Sequence, residues 1–389
     1  MDCLEGMKKI PDNSIDSCVT DPPYGLSKEP DIREVLKKWL NNEPYDHKHA
    51  GFMGKTWDSF VPHPDIWREV YRVLKPGAHA LVFAGTRTQD LMTISLRLAG
   101  FEVRDVIEWL YFNGFPKSLD VGKAFDKRAG AERKVIGVEL KKAFGYQDRP
   151  WKHREDANIN YITIPSTDLA RKWDGWGTAL KPAHEPIILV RKPLKGTVAE
   201  NVEKWGTGAI NIDGCRIPTE DKIPNVPQPK GGTGNIYGFQ NGKGRSDKRY
   251  KSHDGGRFPA NCVTLEEGQF YSKYFNITPP ELSKKASKKD RNSDWLGEEI
   301  DIDNRHPTVK PIDLISWLIK LITPPDGTVL DPFAGSGSTL VAAKREGFNF
   351  IGFELEKEYV EIAEARISGE PEQKALFLFG GYLKEQMGV

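Results

Sequence analysis

The sequence of 389 residues predicts an α/β fold, in which a doubly wound, mostly parallel sheet carries helices on both faces. Strand patterns alternate with amphipathic helix patterns near both ends of the chain. A glycine-rich turn joins one of these strands to the helix that follows it. The long segments between are rich in Gly, Pro, Lys and Asn and have weak periodicity, so we expect one discontinuous domain with two long insertions.

The first part of the chain alternates between predicted strands and helices. A strand is expected to lead directly into Asp21–Tyr24, and Lys75–Gly77 is expected to end a helix. In chain order the predicted elements are a strand over 14–20, a helix over 64–74, a strand over 79–84, a helix over 90–99 and a strand over 101–112.

The last part of the chain repeats the same alternation. Apolar side chains at helical spacing and short β-rich runs predict consecutive helix and strand units from about residue 306 onward. These elements are a helix over 311–322, a strand over 328–331, a helix over 338–346, a strand over 348–354 and a helix over 358–367. A further strand is predicted over 183–192, between the two insertions.

The net charge of +1 conceals basic segments within the insertions. Residues 112–155 contain eleven Lys/Arg against six Asp/Glu, and residues 229–257 contain seven against two. Clustered basic side chains can neutralise phosphates, so these segments are candidates for contact with a polyanion. A solvated charged surface is the alternative.

Several protein classes are not supported by the sequence. We found no apolar run near the roughly 18 residues that a membrane span needs, so no membrane partner is expected. The N-terminus lacks the basic and apolar regions of a signal peptide. The four cysteines are scattered, and the histidines lack ligand spacing, so neither disulfides nor a metal is expected. These features favour a cytoplasmic protein.

The glycine-rich turn lies in Asp331–Gly337, where a strand leads into a helix. Gly335 and Gly337 permit tight turning and close approach of a ligand to the backbone, and Ser336 or Ser338 is a candidate helix cap. Glu354 ends the next predicted strand, where an acidic side chain can bind a ribose diol. Because residue 340 is Leu, the full dinucleotide motif is absent, which favours another adenosine-bearing cofactor over a nicotinamide one.

A second candidate site is Asp21–Tyr24, which also follows a strand. Pro22 and Pro23 stiffen the backbone and remove two N–H donors, so that carbonyl oxygens and the Asp21 carboxylate are available as acceptors. Two acceptors together can bind both hydrogens of an exocyclic amino group. Its nitrogen is a poor nucleophile in the free base, and this binding favours a lone pair directed at an electrophile. Tyr24 adds a ring on which an extruded base can stack.

Six motifs along the chain make the sequence similar to the S-adenosylmethionine-dependent DNA amino-methyltransferases, which form N6-methyladenine or N4-methylcytosine. Asp21–Tyr24 resembles the DPPY catalytic motif and Asp331–Gly337 resembles the cofactor motif. The catalytic motif comes first, as in the beta group of the family. The remaining similar segments are Asp2–Glu5 followed by Ile10–Asp16, Leu74–Gly77, His184–Leu189 and His306–Pro311.

The resemblance implies a Rossmann-like methyltransferase fold with a seven-stranded sheet, in which the strands over 101–112 and 185–192 pair antiparallel. It implies a catalytic half over 1–111, a core strand over 181–192 and a cofactor-binding half over 305–389. The insertions over 112–180 and 193–304 are then expected to recognise DNA, with Lys243, Arg245, Lys248 and Arg249 on its backbone.

The resemblance also implies the roles of the site residues. Asp21, Pro22, Pro23 and Tyr24 are expected to be catalytic. The expected ligands of S-adenosylmethionine are Asp2, Thr308, Lys310, Asp331, Phe333, Gly335, Ser336, Gly337 and Glu354. Double-stranded DNA is the expected partner, and the formation of a homodimer stays open.

Asp at position 21, where cytosine N4 enzymes more commonly have Ser, favours adenine N6 as the acceptor. Cytosine N4 remains an alternative. An RNA amino-methyltransferase could use the same residues, with the basic insertions on RNA. A non-catalytic DNA-binding protein is the weakest alternative, because the catalytic Asp and the glycines are both intact.

Overall fold

The computed structural model describes residues 1–49, 51, 58–111, 118–140, 159–219, 255–266, 268, 271–277, 291–292, 294–296, 300, 304, 306, 308–368 and 376–377. The chain divides into two compact units. The larger unit comprises Met1–Tyr111 and His184–Val389, and the smaller comprises Phe112–Ala183.

In Met1–Tyr111, the first segment of the larger unit, strands and helices alternate largely as predicted. They are α1 (Cys3–Met7), β1 (Ile15–Thr20), α2 (Ile32–Leu40), α3 (Pro64–Val73), β2 (Leu74–Phe83), α4 (Gln89–Leu98) and β3 (Glu102–Leu110). Helices α1 and α2 were not predicted. The largest difference in a predicted boundary is at β2, which begins directly at the end of α3. Gly77 takes a left-handed conformation (φ 80°) inside this strand, which lets the chain bend there without ending it.

The smaller unit contains two helices and a two-stranded antiparallel sheet. Its elements are α5 (Val121–Arg128), β4 (Lys134–Leu140), β5 (Ile159–Ile164) and α6 (Asp168–Lys172). The carboxylate of Asp126 connects them, since it accepts hydrogen bonds from Arg133 (2.7 Å), from the backbone of Ser166 (3.1 Å) and from Thr167 (2.8 and 2.9 Å).

The larger unit continues after the smaller one with the second half of its sheet. Its elements are β6 (His184–Arg191), α7 (Val198–Trp205), β7 (Cys262–Thr264), α8 (Ser272–Phe275), α9 (Ile312–Ile322), β8 (Thr328–Asp331), α10 (Ser338–Arg345), β9 (Asn349–Gly352), α11 (Lys357–Ile367) and β10 (Leu376–Phe377).

The described strands of the larger unit form one sheet in the order β10-β9-β8-β1-β2-β6-β3-β7. All of them run parallel except β6, which is antiparallel to both neighbours, β2 and β3. The mostly parallel sheet and the antiparallel pairing of β3 with β6 are thus confirmed. The described sheet has eight strands where the sequence predicted seven. No sequence pattern predicted β7, which has three residues and lies in the second insertion, or β10, which has two; both are too short to give a periodic signal.

Hydrophobic clusters cover both faces of the sheet. Every residue of β1 is buried, as expected for a central parallel strand, and its apolar side chains contribute to both clusters. Cys18 belongs to the cluster that includes α1 to α4, and Val19 belongs to the cluster that includes α9 and α10. Among the described residues, no helix is long and apolar enough to cross a membrane.

The centre of the sheet determines where the two motifs lie. Strand β1 pairs in parallel with β8, with Ser17 opposite Val329 and Cys18 opposite Leu330. Because parallel neighbours end at the same edge, the loop after β1 and the loop after β8 lie side by side.

Candidate active site

The backbone of the loop Asp21–Tyr24 is held by two polar side chains. One oxygen of the Asp58 carboxylate accepts hydrogen bonds from the backbone N–H groups of Tyr24 (2.8 Å) and Gly25 (3.2 Å). The hydroxyl of Thr88 donates to the Tyr24 carbonyl at 2.6 Å. Since prolines supply no N–H donors, these contacts replace regular backbone pairing and define the direction in which the loop leaves β1.

The two oxygens of the Asp21 carboxylate have different surroundings. Oδ2 accepts a hydrogen bond of 2.6 Å from the ammonium of Lys310. Oδ1 is buried and has no hydrogen-bond partner among the described residues. A buried acceptor without a partner costs about 1–3 kcal/mol, so this atom is available to a donor on a ligand.

A second carboxylate, Glu185, completes the surroundings of Lys310. Its Oε2 lies 3.4 Å from the Lys310 ammonium and accepts a hydrogen bond of 2.9 Å from the Tyr24 hydroxyl. The ammonium also lies 5.0 Å from the ring centroid of Phe83 and 5.3 Å from that of Tyr24. We call Asp21, Tyr24, Glu185 and Lys310 the Asp21 cluster.

Burial and charge change the pKa values in the Asp21 cluster. Burial raises the pKa of Asp21, although the Lys310 charge acts in the opposite direction. Burial by itself would lower the pKa of Lys310, but the charges of Asp21 and Glu185 more than offset it, and the pKa is raised. Burial also raises the pKa of Tyr24 well above its usual value, so its hydroxyl remains a donor.

Asp331, at the end of β8, directs its carboxylate into the protein. It is 2% exposed, and its Oδ1 accepts hydrogen bonds from the Thr20 hydroxyl (2.6 Å) and from the backbone N–H of Phe333 (3.0 Å). Burial raises its pKa to about 6. In this structure Asp331 therefore organises the turn and connects it to β1. Phe333, further along the turn, packs against Trp67 with ring centroids 6.1 Å apart.

The two glycines of the turn adopt conformations that other residues rarely take. Gly335 has φ 51° and Gly337 has φ 82°. A Cβ at Gly335 would lie 2.8 Å from the His306 ring. Gly337 directly precedes α10, and none of the described side chains caps this helix. The prediction that Ser336 or Ser338 caps it is therefore wrong. The carbonyl of Ser336 instead accepts a hydrogen bond of 2.6 Å from Arg366.

Glu354 lies just beyond β9 and faces the glycine-rich turn. Its Oε2 accepts from the Gly335 N–H (2.9 Å), and its Oε1 accepts from the N–H groups of Leu355 and Glu356 (both 2.8 Å). Burial raises the pKa of this carboxyl, while the three hydrogen bonds act to lower it. Each carboxylate oxygen can accept more than one hydrogen bond, so Glu354 retains capacity for ligand hydroxyls.

The other predicted cofactor residues differ in their placement. Asp2 caps α1 by accepting from the N–H groups of Leu4 (2.9 Å) and Glu5 (3.3 Å), and the adjacent Met1 nitrogen donates to the Glu354 carbonyl (2.6 Å). Thr308 is exposed. Lys310, as described above, has its ammonium on Asp21.

The predicted DNA contacts Lys243, Arg245, Lys248 and Arg249 lie outside the described residues. Glu185 and Asp58 are site residues that the sequence analysis did not identify.

Comparison with known proteins identifies the class to which this arrangement belongs. The sequence profile of the N6/N4 family described as DNA methylase matches residues 15–365. The chain therefore belongs to this family, whose members transfer a methyl group from S-adenosylmethionine to DNA.

Individual relatives are similar over different lengths. The type II methyltransferase M.HindIII of Haemophilus influenzae is 25% identical over 393 residues, which cover 95% of this chain and 94% of that protein. The type II methyltransferase M2.DpnII of Streptococcus pneumoniae is 43% identical over 91 residues, which cover 23% of this chain and 29% of that one.

Solved structures include two similar methyltransferases at low identity. The complex of M1.HpyAVI with SAM has a TM-score of 0.39 and 16% identity, covering 94% of this chain and 97% of that one. The cytosine-N4-specific PvuII DNA methyltransferase has a TM-score of 0.42 and 16% identity, covering 94% of this chain and 84% of that one.

The residues of the glycine-rich turn fit an adenosine-bearing cofactor. The half-buried Glu354 carboxylate just beyond β9, a helix N-terminus without a side-chain cap and two left-handed glycines lie together at one edge of the sheet. These groups supply acceptors for sugar hydroxyls and backbone donors for a polar ligand.

Proposed function

We propose that this protein methylates the N6 amino group of adenine in duplex DNA and that Asp21 binds this amino group. The observation that carries the proposal is the buried Oδ1 of Asp21, which has no partner among the described residues. The atom belongs to a loop beside the glycine-rich turn, so a base bound there lies close to a cofactor held by that turn.

Asp21 and Pro22 together bind the target amino group. Oδ1 of Asp21 accepts one hydrogen, and the Pro22 carbonyl oxygen accepts the other. Binding both hydrogens withdraws the nitrogen lone pair from the ring system and orients it. Pro23 restricts the backbone so that these acceptors are already in place before the base arrives, which lowers the cost of reorganisation.

Tyr24 stacks on the extruded base. Its hydroxyl is held by Glu185 and its backbone is held by Asp58 and Thr88, so the ring has little freedom before the base arrives. A ring fixed in advance loses less conformational entropy on binding.

Glu354, Gly335, Ser336, Gly337 and Phe333 are the proposed residues for S-adenosylmethionine. Glu354 accepts from the ribose hydroxyls, and the glycines allow the cofactor to approach the backbone. Thr308 and Asp2 border the same site, and Asp331 acts by ordering the turn. When bound, the cofactor supplies an electrophilic methyl group on a sulfonium. Direct transfer of this methyl group needs no cysteine nucleophile.

Recognition of DNA is assigned to the two insertions, 112–180 and 193–304. The basic surplus of residues 112–155 and 229–257 supports contact with phosphates. The contacts proposed for Lys243, Arg245, Lys248 and Arg249 stay a prediction. The proposal also places the protein in the cytoplasm, where its DNA lies, and leaves homodimer formation to measurement.

The experiment is to incubate the protein with isotopically labelled S-adenosylmethionine and unmethylated duplex DNA, with a structured RNA in parallel. Digestion to nucleosides and mass spectrometry should show N6-methyladenine from the DNA only. N4-methylcytosine would identify the alternative base, label in RNA would identify the alternative substrate, and no label in either would refute the proposal. Sequencing of the modified DNA then gives the recognition sequence.

A further inference from the structure

The Asp21 cluster contains two groups that do not need to touch the substrate. The Lys310 ammonium is almost enclosed, with its side chain 8% exposed, and it contacts both carboxylates of the cluster. Its hydrogen bond to Asp21 uses Oδ2 only. Glu185 is fixed in turn by Lys310 and by the Tyr24 hydroxyl.

We propose that Lys310 and Glu185 are positioning residues that select which oxygen of Asp21 meets the target amino group. Glu185 holds the Lys310 ammonium against Oδ2, and Oδ1 is thereby presented to the base. The inference rests on the proposed function of Asp21. It gives Lys310 a role that differs from the one expected for a cofactor ligand.

Lys310 and Glu185 have opposite effects on the ionisation of Asp21. A positive charge on Oδ2 favours the ionised form of Asp21 and so opposes the effect of burial, and ionised carboxylates are the stronger acceptors. Glu185 has the opposite effect on Asp21, because two neighbouring negative charges repel each other. Removing Lys310 and removing Glu185 should therefore change the ionisation of Asp21 in opposite directions.

Other titratable groups near the Asp21 cluster could also contribute to a measured pH dependence. Tyr24 and Tyr111 border Glu185, and burial raises the pKa of Tyr111 to about 12, so neither phenol ionises in the range of the assay. Among the described residues, Asp331 is a further acid whose charge interacts with that of Asp21, and its pKa of about 6 lies inside that range. A control is therefore needed that changes the surroundings of Asp331 and leaves every charge of the Asp21 cluster in place.

The experiment measures kcat/KM for methylation of duplex DNA between about pH 5 and 9, because its acid limb reports the ionisation of groups in the free enzyme. Lys310→Met should move the acid limb to higher pH by about one unit or more and should lower kcat. Lys310→Arg retains the positive charge, so the acid limb of its kcat/KM profile should lie at the wild-type pH. The double variant Lys310→Met/Glu185→Gln should move the limb back to lower pH than Lys310→Met alone.

Two controls separate this effect from general damage. Lys320→Met removes an ammonium from α9 that pairs with Glu346 (3.2 Å) and is 39% exposed, and it should leave the limb in place. Thr20→Val removes the hydroxyl that donates to Asp331. If the acid limb of kcat/KM shifts in this variant, the limb reports the ionisation of Asp331 and not that of Asp21, and the inference fails. Thermal melting of each variant verifies that it is folded.

Calorimetry with S-adenosylmethionine alone distinguishes the two roles of Lys310. We expect the dissociation constant of Lys310→Met to stay within about threefold of the wild-type value, because the ammonium does not lie in the glycine-rich turn. A loss of cofactor affinity with an unmoved limb would make Lys310 a cofactor ligand and overturn the inference. A further rise of the limb in the double variant would also overturn it. If the wild-type protein methylates no DNA, the proposed function fails instead.

Discussion

The Thr20 hydroxyl donates a hydrogen bond of 2.6 Å to the Asp331 carboxylate, across 311 residues of the chain. Thr20 is the last residue of β1 and precedes the loop Asp21–Tyr24, whereas Asp331 ends β8 and begins the glycine-rich turn. The same carboxylate oxygen accepts from the Phe333 N–H. One buried acceptor thus sets the relative position of the proposed catalytic loop and the proposed cofactor loop.

Thr20→Val should destabilise the protein by about 1–3 kcal/mol, because it leaves a buried carboxylate with one hydrogen bond fewer at nearly constant side-chain volume. Thr20→Ser keeps the hydroxyl and serves as the control. Urea unfolding at pH 7 measures the difference in the free energy of unfolding. Equal stability of the Val and Ser variants would show that the hydrogen bond contributes nothing to folding.

Asp58→Ala should lower kcat by about tenfold or more, since a loss of about 1.4 kcal/mol in transition-state stabilisation has this effect. The variant removes the acceptor that holds the Tyr24 and Gly25 N–H groups. Asp58→Asn keeps an oxygen acceptor and should retain most of the activity. Steady-state kinetics on duplex DNA compare the two. If both variants behaved alike, the charge of Asp58 rather than its hydrogen bonds would be the important property.

The sequence predicted the parts of the site that follow from local pattern. Strand residues before Asp21 and before the glycine-rich turn predicted two parallel strands, and parallel neighbours necessarily bring their following loops to one edge. Glu185 could not be found in this way. It lies 161 residues from Tyr24 and begins the one antiparallel strand of the described sheet, so that its start, rather than its end, lies beside the loops.

Other features depended on tertiary contacts that no short pattern encodes. The ammonium of Lys310 lies on Asp21 because buried charges require a partner, and the resemblance alone assigned this residue to the cofactor. Asp58 acts through the backbone N–H groups of Tyr24 and Gly25, which lie beyond the end of β1. Strand β7 is three residues long and is defined by its parallel pairing with β3.

Glu354→Gln should weaken the binding of S-adenosylmethionine by about tenfold, which corresponds to the loss of about 1.4 kcal/mol from a charge-assisted hydrogen bond. Glu358→Gln, in the first turn of α11, is exposed and serves as the matched control. Calorimetry with the cofactor alone measures both dissociation constants. Unchanged affinity in Glu354→Gln would assign recognition of the ribose to another residue.

His79 should make the protein less stable in acid. It is 3% exposed, and burial, followed by the charges of Arg191 and Arg104, lowers its pKa from 6.5 to about 4. Between these two values the unfolded chain binds a proton that the folded protein does not bind. The free energy of unfolding therefore falls by up to about 3 kcal/mol from this group as pH decreases from about 6.5 to 4.

His79→Gln removes this contribution, so the stability difference between wild type and variant should shift in favour of the variant across that pH range. Urea unfolding at several pH values gives the difference directly. Carboxylates elsewhere in the protein affect both proteins equally and cancel. A stability difference that does not vary with pH would mean that His79 is protonated in the folded protein as readily as in the unfolded chain.

The role of Asp21 is tested most directly by single-turnover methyl transfer with Asp21→Ala, using saturating cofactor and duplex DNA. The account predicts that the rate of N6-methyladenine formation falls by about 10²–10³, the usual effect of removing one preorganised group that stabilises the transition state. The affinities for S-adenosylmethionine and for DNA should stay close to those of the wild-type protein. A wild-type rate in Asp21→Ala, with the variant folded and DNA bound, would contradict the account.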